Sequence, residues 1–337
     1  MSPLRRPSPI TSTILHVQGE GAMLDGRRLF QRGSCGFRMS GEAHRKADTL
    51  SDALRSGRKR LDSARTETPG LDAEVLLRHV LGIDRTALFA RLREPIAPAT
   101  LAAFEHLLDE RARDIPVAYL TGEREFMGLP FSVGPEVLAP RPETEILVEW
   151  AIRWLGTHDR DRVTVVDVGT GSGAIAVSIA AAMGSDWRGR VLAADLSTGA
   201  LATAASNLRR LAIEHRVSLV QGSLLSWLRG PVDLVLANLP YLRADQIAEN
   251  PSLAAEPQVA LDGGEAGLDL IRRLLHDAPR VIAPGGALGL EIDPGQRDVV
   301  VSLAQRVFPR SDVGVLKDLA GFDRHVTVQI AEASPEN

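Results

Sequence analysis

The sequence contains a single cysteine, Cys35, among its 337 residues, which excludes an internal disulfide. Its eight histidines show none of the C-x-x-C or H-x-x-x-H spacings that typically hold zinc, so we predict no metal site. Proteins without disulfides are typical of reducing compartments. A cytoplasmic location is therefore expected.

Long hydrophobic runs are also missing. The best candidate for a membrane span is the uncharged stretch at residues 168–185. It is interrupted by glycine, threonine and serine, and it is too polar for a membrane helix. Hydrophobic residues make up 44% of the chain and charged residues 24%, which suits an ordinary globular core. We therefore predict a soluble protein of enzyme size that does not enter a membrane.

The basic excess that nucleic-acid-binding proteins usually show is absent. The formal net charge is −4, and residues 1–38 hold six arginines against Glu20 and Asp25, so that segment is +4 and the remainder is −8. An acidic body repels a phosphate backbone. Composition thus argues against a nucleic-acid partner.

Three segments precede the main body of the chain. Residues 1–45 mix proline, serine, glycine and arginine without a sustained period, which predicts a disordered extension; a later start codon or a transit peptide are alternatives. Residues 46–114 carry apolar residues at helical spacing and predict a small helical domain. Residues 115–140 place aromatic residues among glycines and prolines, which indicates a β-hairpin or lid that links two domains.

Residues 141–332 alternate between strand and helix patterns. Seven apolar runs predict strands, at 163–168, 190–195, 216–221, 232–237, 287–292, 313–317 and 325–330. Because parallel strands need crossover connections, the alternation predicts an α/β fold with a mostly parallel, doubly wound sheet. Ligands of such sheets bind at the carboxyl ends of the strands.

A glycine-rich turn follows the first of these strands, and it reads Asp167-Val168-Gly169-Thr170-Gly171-Ser172-Gly173. Glycines allow a close approach of the backbone to a ligand, and the N-terminus of the following helix favours a carboxylate or phosphate. The methionine part of S-adenosylmethionine would fit. However, Gly169-x-Gly171-x-x-Ala174 also satisfies the dinucleotide fingerprint, so the loop alone leaves both cofactors open.

Two carboxylates stand at strand ends beside this turn. Asp167 lies within an otherwise apolar strand, where a buried charge is unfavourable unless it has a partner such as a cationic amino acid moiety. Asp195 ends the next strand, where its two oxygens suit a ribose diol. The alternative for both is a structural role as caps of the loops that follow them.

Asn238, Leu239, Pro240 and Tyr241 follow the apolar strand at 232–237. In isolation this tetrapeptide is an ordinary turn. At the carboxyl edge of the sheet, beside the glycine-rich turn, it resembles the (Asn/Asp/Ser)-Pro-Pro-(Tyr/Phe/Trp) motif of methyltransferases that act on planar amide or amino nitrogens.

Residues 47–330 resemble the HemK/PrmC-type peptide chain release factor glutamine methyltransferases. Seven stretches in the family's order carry the resemblance: LDAEVLLRHVLG (71–82), PVAYLTGEREFMG (116–128), LAPRPETEILVE (138–149), VVDVGTGSGAIA (165–176), ANLPYL (237–242), EPQVALDGGEAGLDLI (256–271) and LEIDPGQ (290–296). The resemblance implies an S-adenosylmethionine-dependent enzyme that methylates the glutamine of the Gly-Gly-Gln motif in class I release factors. It also implies a Rossmann-like, class I methyltransferase sheet of seven strands, preceded by a helical domain that recognises the substrate.

The resemblance also assigns residues to the cofactor. Asp167 joins this set because it lies just before the glycine-rich turn. The predicted cofactor-binding residues are Asp167, Gly169, Thr170, Gly171, Ser172, Gly173, Asp195, Ser223, Leu224 and Asn238. The chain departs from the family at three positions: Leu239 replaces the first proline of the motif, Ser223 the acid near the adenine, and Leu224 the aromatic residue after it. These departures bear on affinity more than on the reaction.

An amide nitrogen is a weak nucleophile because its lone pair is delocalised, so the expected task of the site is orientation and desolvation. The Asn238 side-chain oxygen and the backbone carbonyl of Leu239 would accept both amide hydrogens, while Pro240 and Tyr241 complete the motif and the tyrosine packs against the amide plane. Phe126 and Arg141 are further candidates for substrate contact. The alternative for the aromatic residues is a packing role. The alternative for Arg141 is a place in a solvated helix start.

Three other functions share parts of these motifs. A ribosomal-protein glutamine methyltransferase would have the same fold and motif, and a nucleic-acid amino methyltransferase would share the chemistry but not the acidic charge. A catalytically silent cofactor-binding module stays open because of the departures at Leu239 and Ser223.

Overall fold

The structure is a computed structural model that describes residues 49–158 and 162–332, together with a short strand, β1 (Leu15–His16). Apart from these two residues, the extension predicted at 1–45 lies outside the described residues. The described residues fall into two compact units, one of which ends at Arg113, while the other begins at Asp114 and includes β1.

The first unit is helical. It consists of α1 (Leu50–Ser63), α2 (Pro69–Leu81), α3 (Arg85–Ala90) and α4 (Pro98–Arg111). The Thr49 side chain accepts from the Asp52 backbone N–H and so caps α1, whereas α2 ends at Gly82 in the left-handed conformation. At Gly57 a Cβ would lie 2.8 Å from the Phe104 ring, so this glycine lets α1 and α4 pack closely.

The second unit opens with a short helix and a hairpin, α5 (Val117–Thr121), β2 (Glu123–Phe126) and β3 (Leu129–Ser132). Met127 and Gly128 both have positive φ at the two-residue turn, which matches the right-handed twist of a hairpin. The buried Asn207 side chain accepts from the Ser132 N–H and donates to the Ser132 carbonyl. This pair of hydrogen bonds fixes the hairpin against the body of the unit.

The body is a sheet with the strand order β1-β6-β5-β4-β7-β8-β10-β9. Its main strands are β4 (Thr164–Val168), β5 (Arg190–Asp195), β6 (Val217–Gln221), β7 (Val232–Ala237), β8 (Ile282–Glu291), β9 (Asp312–Lys317) and β10 (Asp323–Gln329). The strands from β6 to β8 are parallel, and β10 is antiparallel to both of its neighbours. The predicted seven-stranded sheet is confirmed, and β1 adds a two-residue strand along β6.

Six helices connect and cover these strands: α6 (Pro142–Thr157), α7 (Ala174–Ala182), α8 (Thr198–Arg210), α9 (Ala244–Glu249), α10 (Asp269–Asp277) and α11 (Arg297–Val307). Apolar side chains of β4 and β7 point to two separate core clusters, one on each face of the sheet. Such two-sided burial explains the near-continuous apolar runs of these strands. None of the helices in the described ranges is long and apolar enough to cross a membrane.

The chain order reverses between β4 and β7: β5 and β6 continue on one side of β4, and β7 and β8 on the other. The loops that leave the carboxyl ends of β4 and β7 therefore diverge and leave a crevice between them, where ligands of open α/β sheets bind. This crevice positions the site described below.

The structure differs from the sequence-based expectation in two places. Strand β8 begins at Ile282 rather than at residue 287, because Gly285 adopts a φ of +69° and the pairing with β7 shifts register there, so a segment that resembles a turn continues as a strand. Between β7 and α10, the chain forms α9 and several 3₁₀ turns. These short elements lack the longer period by which a helix is predicted.

Candidate active site

A cavity of about 770 Å³ lies at the carboxyl ends of β4, β5 and β7. Its wall includes the glycine-rich turn, the end of β5 and the segment after β7. The predicted site residues that line it are Gly169, Thr170, Gly171, Ser172, Asp195, Ser223, Leu224, Asn238, Leu239, Pro240 and Arg141. Most of the predicted residues are thus brought together in one place.

The glycine-rich turn folds back on the neighbouring strand. The backbone N–H groups of Gly169 and Thr170 both donate to the Ala194 carbonyl at 2.9 Å. Gly169, Gly171 and Gly173 have φ values of +74°, +55° and +85°, a region that favours glycine. A Cβ on Gly171 would meet no atom within 4 Å, so the backbone there lies open to the cavity.

Asp167 lies behind this turn and does not line the cavity. Its side chain is fully buried, and one oxygen, Oδ2, accepts from the Thr170 hydroxyl at 2.6 Å and from the Ala176 N–H at 3.2 Å. Burial raises the pKa of Asp167 to about 7, against the lowering effect of these two hydrogen bonds. The position predicted to meet a cationic ligand therefore anchors the turn to the helix behind it.

Asp195 both caps a loop and lines the cavity. Its Oδ2 accepts from the Gly171 N–H and its Oδ1 from the Ser197 N–H, each at 2.9 Å. Each carboxylate oxygen can accept a further hydrogen bond. Leu196, which the sequence did not mark, is 64% exposed and lines the same wall. An acceptor beside an apolar surface suits a ligand with a polar and an apolar part.

Ser223 and Leu224 line the cavity from the loop after β6. Leu224 has a φ of +49°, an uncommon value for leucine, while its side chain is buried. The Trp227 indole N–H donates to the Leu224 carbonyl at 2.8 Å, which stabilises this turn.

Asn238 and Leu239 form the wall between the large cavity and a second cavity of about 300 Å³, since both residues line both cavities. The Asn238 Nδ2 donates to the Thr144 hydroxyl oxygen at 3.1 Å. No described residue donates to the Asn238 Oδ1 or to the Leu239 carbonyl. The Leu239 side chain is buried and packs toward Gly169. These two oxygens, on consecutive residues, are thus acceptors to which no group in the described part of the chain donates.

Tyr241 lines the smaller cavity, together with Gln246 and Asn250 of the segment around α9. Its hydroxyl donates to the Oε1 of Glu291 at 3.2 Å, and burial together with the Glu291 charge raises the pKa of Tyr241. The tyrosine therefore stays protonated and is held by the end of β8.

Arg141 lines both cavities, whereas Phe126 lines neither. One guanidinium nitrogen of Arg141 donates to both oxygens of Glu256, at 2.5 and 2.7 Å. Burial raises the pKa of Glu256, and the Arg141 charge opposes that shift. Phe126 packs edge-on against Phe131 with 1% of its surface exposed, so it belongs to the core of the hairpin rather than to a substrate-contacting surface.

Sequence reasoning missed the contribution of Thr144 and of Glu291 to the site. Thr144, in the first turn of α6, lies in the helix start near residue 141, and its hydroxyl contacts Asn238. Glu291 ends the apolar strand β8 and is 1% exposed. A lone acid at the carboxyl end of an apolar strand, the same pattern that marked Asp167, was the available signal.

Comparisons with known proteins give two family-model matches and several relatives of similar length. A family model described as the PrmC N-terminal domain matches residues 52–122, and one described as ribosomal protein L11 methyltransferase (PrmA) matches residues 148–249. A release factor glutamine methyltransferase of Moorella thermoacetica is 43% identical over 278 residues, which cover 82% of this chain and 96% of that protein. One from Deinococcus radiodurans is 38% identical over 283 residues and covers 84% and 99%.

Solved structures give two further likenesses. A protein-(glutamine-N5) methyltransferase (release factor-specific) of Alicyclobacillus acidocaldarius is 34% identical, with 60% of this chain and 99% of that chain covered and a TM-score of 0.37. The catalytic domain of hMettl16, in complex with an RNA hairpin, is 15% identical, with 68% and 84% covered and a TM-score of 0.52. The second likeness shows the fold alone.

The buried Asp167 predicts a pH-dependent effect of the Asp167→Asn substitution. Between the ordinary aspartate pKa of 3.8 and the folded value of about 7, the unfolded chain has lost this proton while the folded protein keeps it. Stability therefore falls with rising pH in this window, by up to about 1.4 kcal/mol per pH unit from this group. Asparagine keeps an acceptor for Thr170 and Ala176 but carries no charge.

We therefore expect the free energy of unfolding of Asp167→Asn, relative to the unsubstituted protein, to rise between pH 4 and 7 and to level off above pH 7. Urea unfolding at several pH values measures this difference. The matched control is Asp186→Asn, at an exposed position, which should show no such trend. A difference for Asp167→Asn that is constant across pH would contradict the assigned burial effect.

Proposed function

Because the chain belongs to the release factor glutamine methyltransferase family, we propose that it transfers a methyl group from S-adenosylmethionine to a glutamine side-chain amide in the Gly-Gly-Gln motif of class I release factors. The observation that carries this proposal is that Asn238 and Leu239 line both cavities, while no described residue donates to the Asn238 Oδ1 or to the Leu239 carbonyl oxygen. A primary amide nitrogen bears two hydrogens, and two acceptors suit it.

The residues of the larger cavity fit S-adenosylmethionine. Its volume of about 770 Å³ lies in the range of cofactor sites. The open backbone at Gly171 suits the amino acid part, and the Asp195 oxygens suit a ribose diol beside the exposed Leu196, which offers apolar contact to the base. When bound, the cofactor supplies an electrophilic methyl group on a sulfonium.

The smaller cavity suits the glutamine side chain. Asn238, Leu239 and Tyr241 all line it. With both amide hydrogens accepted, the nitrogen is held in one plane, and its electron density rises because its N–H bonds are polarised. The ion pair of Arg141 with Glu256 borders this space and fixes the segment that follows α9.

We further propose that the helical unit selects the protein substrate. Leu71 on α2 and Phe89 on α3 are 54% and 49% exposed, so this unit offers apolar surface to a partner. The match of the PrmC N-terminal domain model covers these helices, which favours a release factor over a ribosomal protein as the substrate.

The proposed function predicts which protein and which residue become methylated. Incubation with methyl-labelled S-adenosylmethionine should label a class I release factor, and peptide mapping should find the label on the glutamine of Gly-Gly-Gln. A release factor with Gly-Gly-Ala at this site is the control and should stay unlabelled. Equal labelling of both release factors, or labelling of a ribosomal protein alone, would contradict the proposal.

The proposed cofactor predicts the ligand preference of the larger cavity. Calorimetry should detect binding of S-adenosylhomocysteine and none of NADH. Gly171→Val should weaken that binding by at least about tenfold, roughly 1.4 kcal/mol, because a branched side chain would enter the cavity from a backbone with a φ of +55°.

Gly184→Val is the matched control for Gly171→Val. Gly184 also has a positive φ, +69°, with no atom within 4 Å of its Cβ position, but it does not line the cavity. The control should therefore show the backbone strain without the loss of affinity. An equal loss in both variants would attribute the effect to strain alone.

Because one acceptor is a side-chain oxygen and the other a backbone oxygen, we expect substitutions at positions 238 and 239 to affect kcat differently. Asn238→Ala removes a side-chain acceptor, and we expect kcat to fall by at least about 10², since losing a buried hydrogen bond costs about 1–3 kcal/mol and displacing the nucleophile costs more. Leu239→Ala and Leu239→Pro keep the carbonyl and should change kcat by no more than about tenfold. Single-turnover methylation, with S-adenosylhomocysteine affinity measured in parallel, tests this; equal losses at both positions would refute the assigned roles.

A further inference from the structure

A buried chain of hydrogen bonds lies behind Asn238. The Asn238 Nδ2 donates to the Thr144 Oγ1 at 3.1 Å, and the Thr144 hydroxyl donates to the Glu291 Oε2 at 2.7 Å. The other carboxylate oxygen, Oε1, accepts from Tyr241. Thr144 and Glu291 are 4% and 1% exposed, so water does not compete for these groups.

The surroundings of Glu291 keep its carboxylate in place. His325, which lies opposite Glu291 in the pairing of β8 with β10, is fully buried, and its Nε2 is 3.5 Å from the Glu291 Oε2. Tyr241 closes the other side. The carboxylate is thus enclosed by three side chains and has Thr144 as its hydrogen-bonding contact toward Asn238.

The direction of the chain follows from the number of hydrogens available. A threonine hydroxyl has one hydrogen, and Thr144 donates it to Glu291, whose carboxylate has none to return. Toward Asn238, the Thr144 oxygen can therefore only accept. The reversed amide would bring two acceptor oxygens together at about 3.1 Å, which is unfavourable in a buried site.

We infer that Thr144 and Glu291 are positioning residues that orient the Asn238 amide so that its oxygen faces the substrate. The inference rests on the proposed function, in which that oxygen accepts from the glutamine amide. It also assigns a specificity role: two oxygens at the wall accept from a glutamine NH₂ group but repel a glutamate carboxylate.

Removal of the Thr144 hydroxyl tests the positioning role. Thr144→Val has nearly the same shape, and it should lower single-turnover kcat about tenfold while S-adenosylhomocysteine affinity changes less than about twofold. Thr144→Ser restores the hydroxyl and should return kcat to within about threefold of the unsubstituted enzyme. Thr327 is another buried threonine, and it takes no part in these hydrogen bonds, so Thr327→Val should leave kcat unchanged.

Coupling to Asn238 separates positioning from a general loss of packing. If Thr144 acts through Asn238, the double variant Asn238→Ala/Thr144→Val should be no slower than Asn238→Ala alone. The inference would be overturned if the kcat losses of the two single variants multiplied in the double variant. It would also be overturned if Thr144→Val kept full kcat, or if Thr327→Val lost as much kcat as Thr144→Val. If the Thr144→Val variant does not fold, Thr144→Ala provides the same comparison.

Binding without turnover gives an independent measure. In the presence of S-adenosylhomocysteine, the enzyme should bind a release factor with Gly-Gly-Gln more tightly than one with Gly-Gly-Glu. Thr144→Val frees the Asn238 amide to turn its NH₂ toward a carboxylate, so the ratio of the two Kd values should fall at least about fivefold, and Thr144→Ser should restore it. An unchanged ratio would overturn the inference.

Activity of the unsubstituted enzyme distinguishes failure of the positioning role from failure of the proposed function. If it methylates the Gly-Gly-Gln release factor while the Thr144 variants show no selective loss, the positioning inference fails and the proposed function stands. If it methylates no release factor, the proposed function itself fails.

Discussion

The site depends on the parallel pairing of β4 with β7. Val168 lies opposite Ala237 in this pairing, so the residues that follow, Gly169 and Asn238, leave the sheet side by side. The Asn238 carbonyl oxygen is 3.8 Å from the position that a Cβ on Gly169 would occupy. A slip of one residue would move the side chains of one strand to the opposite faces and would separate the two motifs. Because the side chains of these strands pack into a core cluster on each face, a slip would require both close-packed interiors to repack.

Two buried carboxylates act in a similar way on either side of this pairing. Asp167, near the end of β4, accepts from the Thr170 hydroxyl and holds the glycine-rich turn, while Glu291, at the end of β8, accepts from Thr144 and holds Asn238. Burial of an acid is unfavourable, but hydrogen bonds offset part of that cost. Under the proposed function, the groups that would meet the ligands are thereby oriented before the ligands arrive, which is how enzymes stabilise developing charge.

Two departures of this chain from its family, Leu239 and Leu224, place buried leucine side chains beside the larger cavity. At Leu239 the side chain packs in the interior toward Gly169, whereas the backbone carbonyl, which every amino acid has, accepts from no described residue. Leu224 replaces an aromatic residue, yet its side chain is buried and its turn is held by Trp227. Under the proposed function these leucines alter packing, while the acceptor at position 239 is a backbone atom that the substitution does not remove.

The sequence by itself determined the order of the strands along the chain, the glycine-rich turn and the motif at 238–241, because strand period, glycine and proline act over a few residues. Only the tertiary structure decided that Phe126 is a core residue, that Asp167 faces away from the cavity, and that Thr144 joins Asn238 to Glu291. The hydrogen bonds of Thr144 span 94 and 147 residues of sequence. Contacts at such separations depend on strand register and on helix packing, which no local pattern encodes.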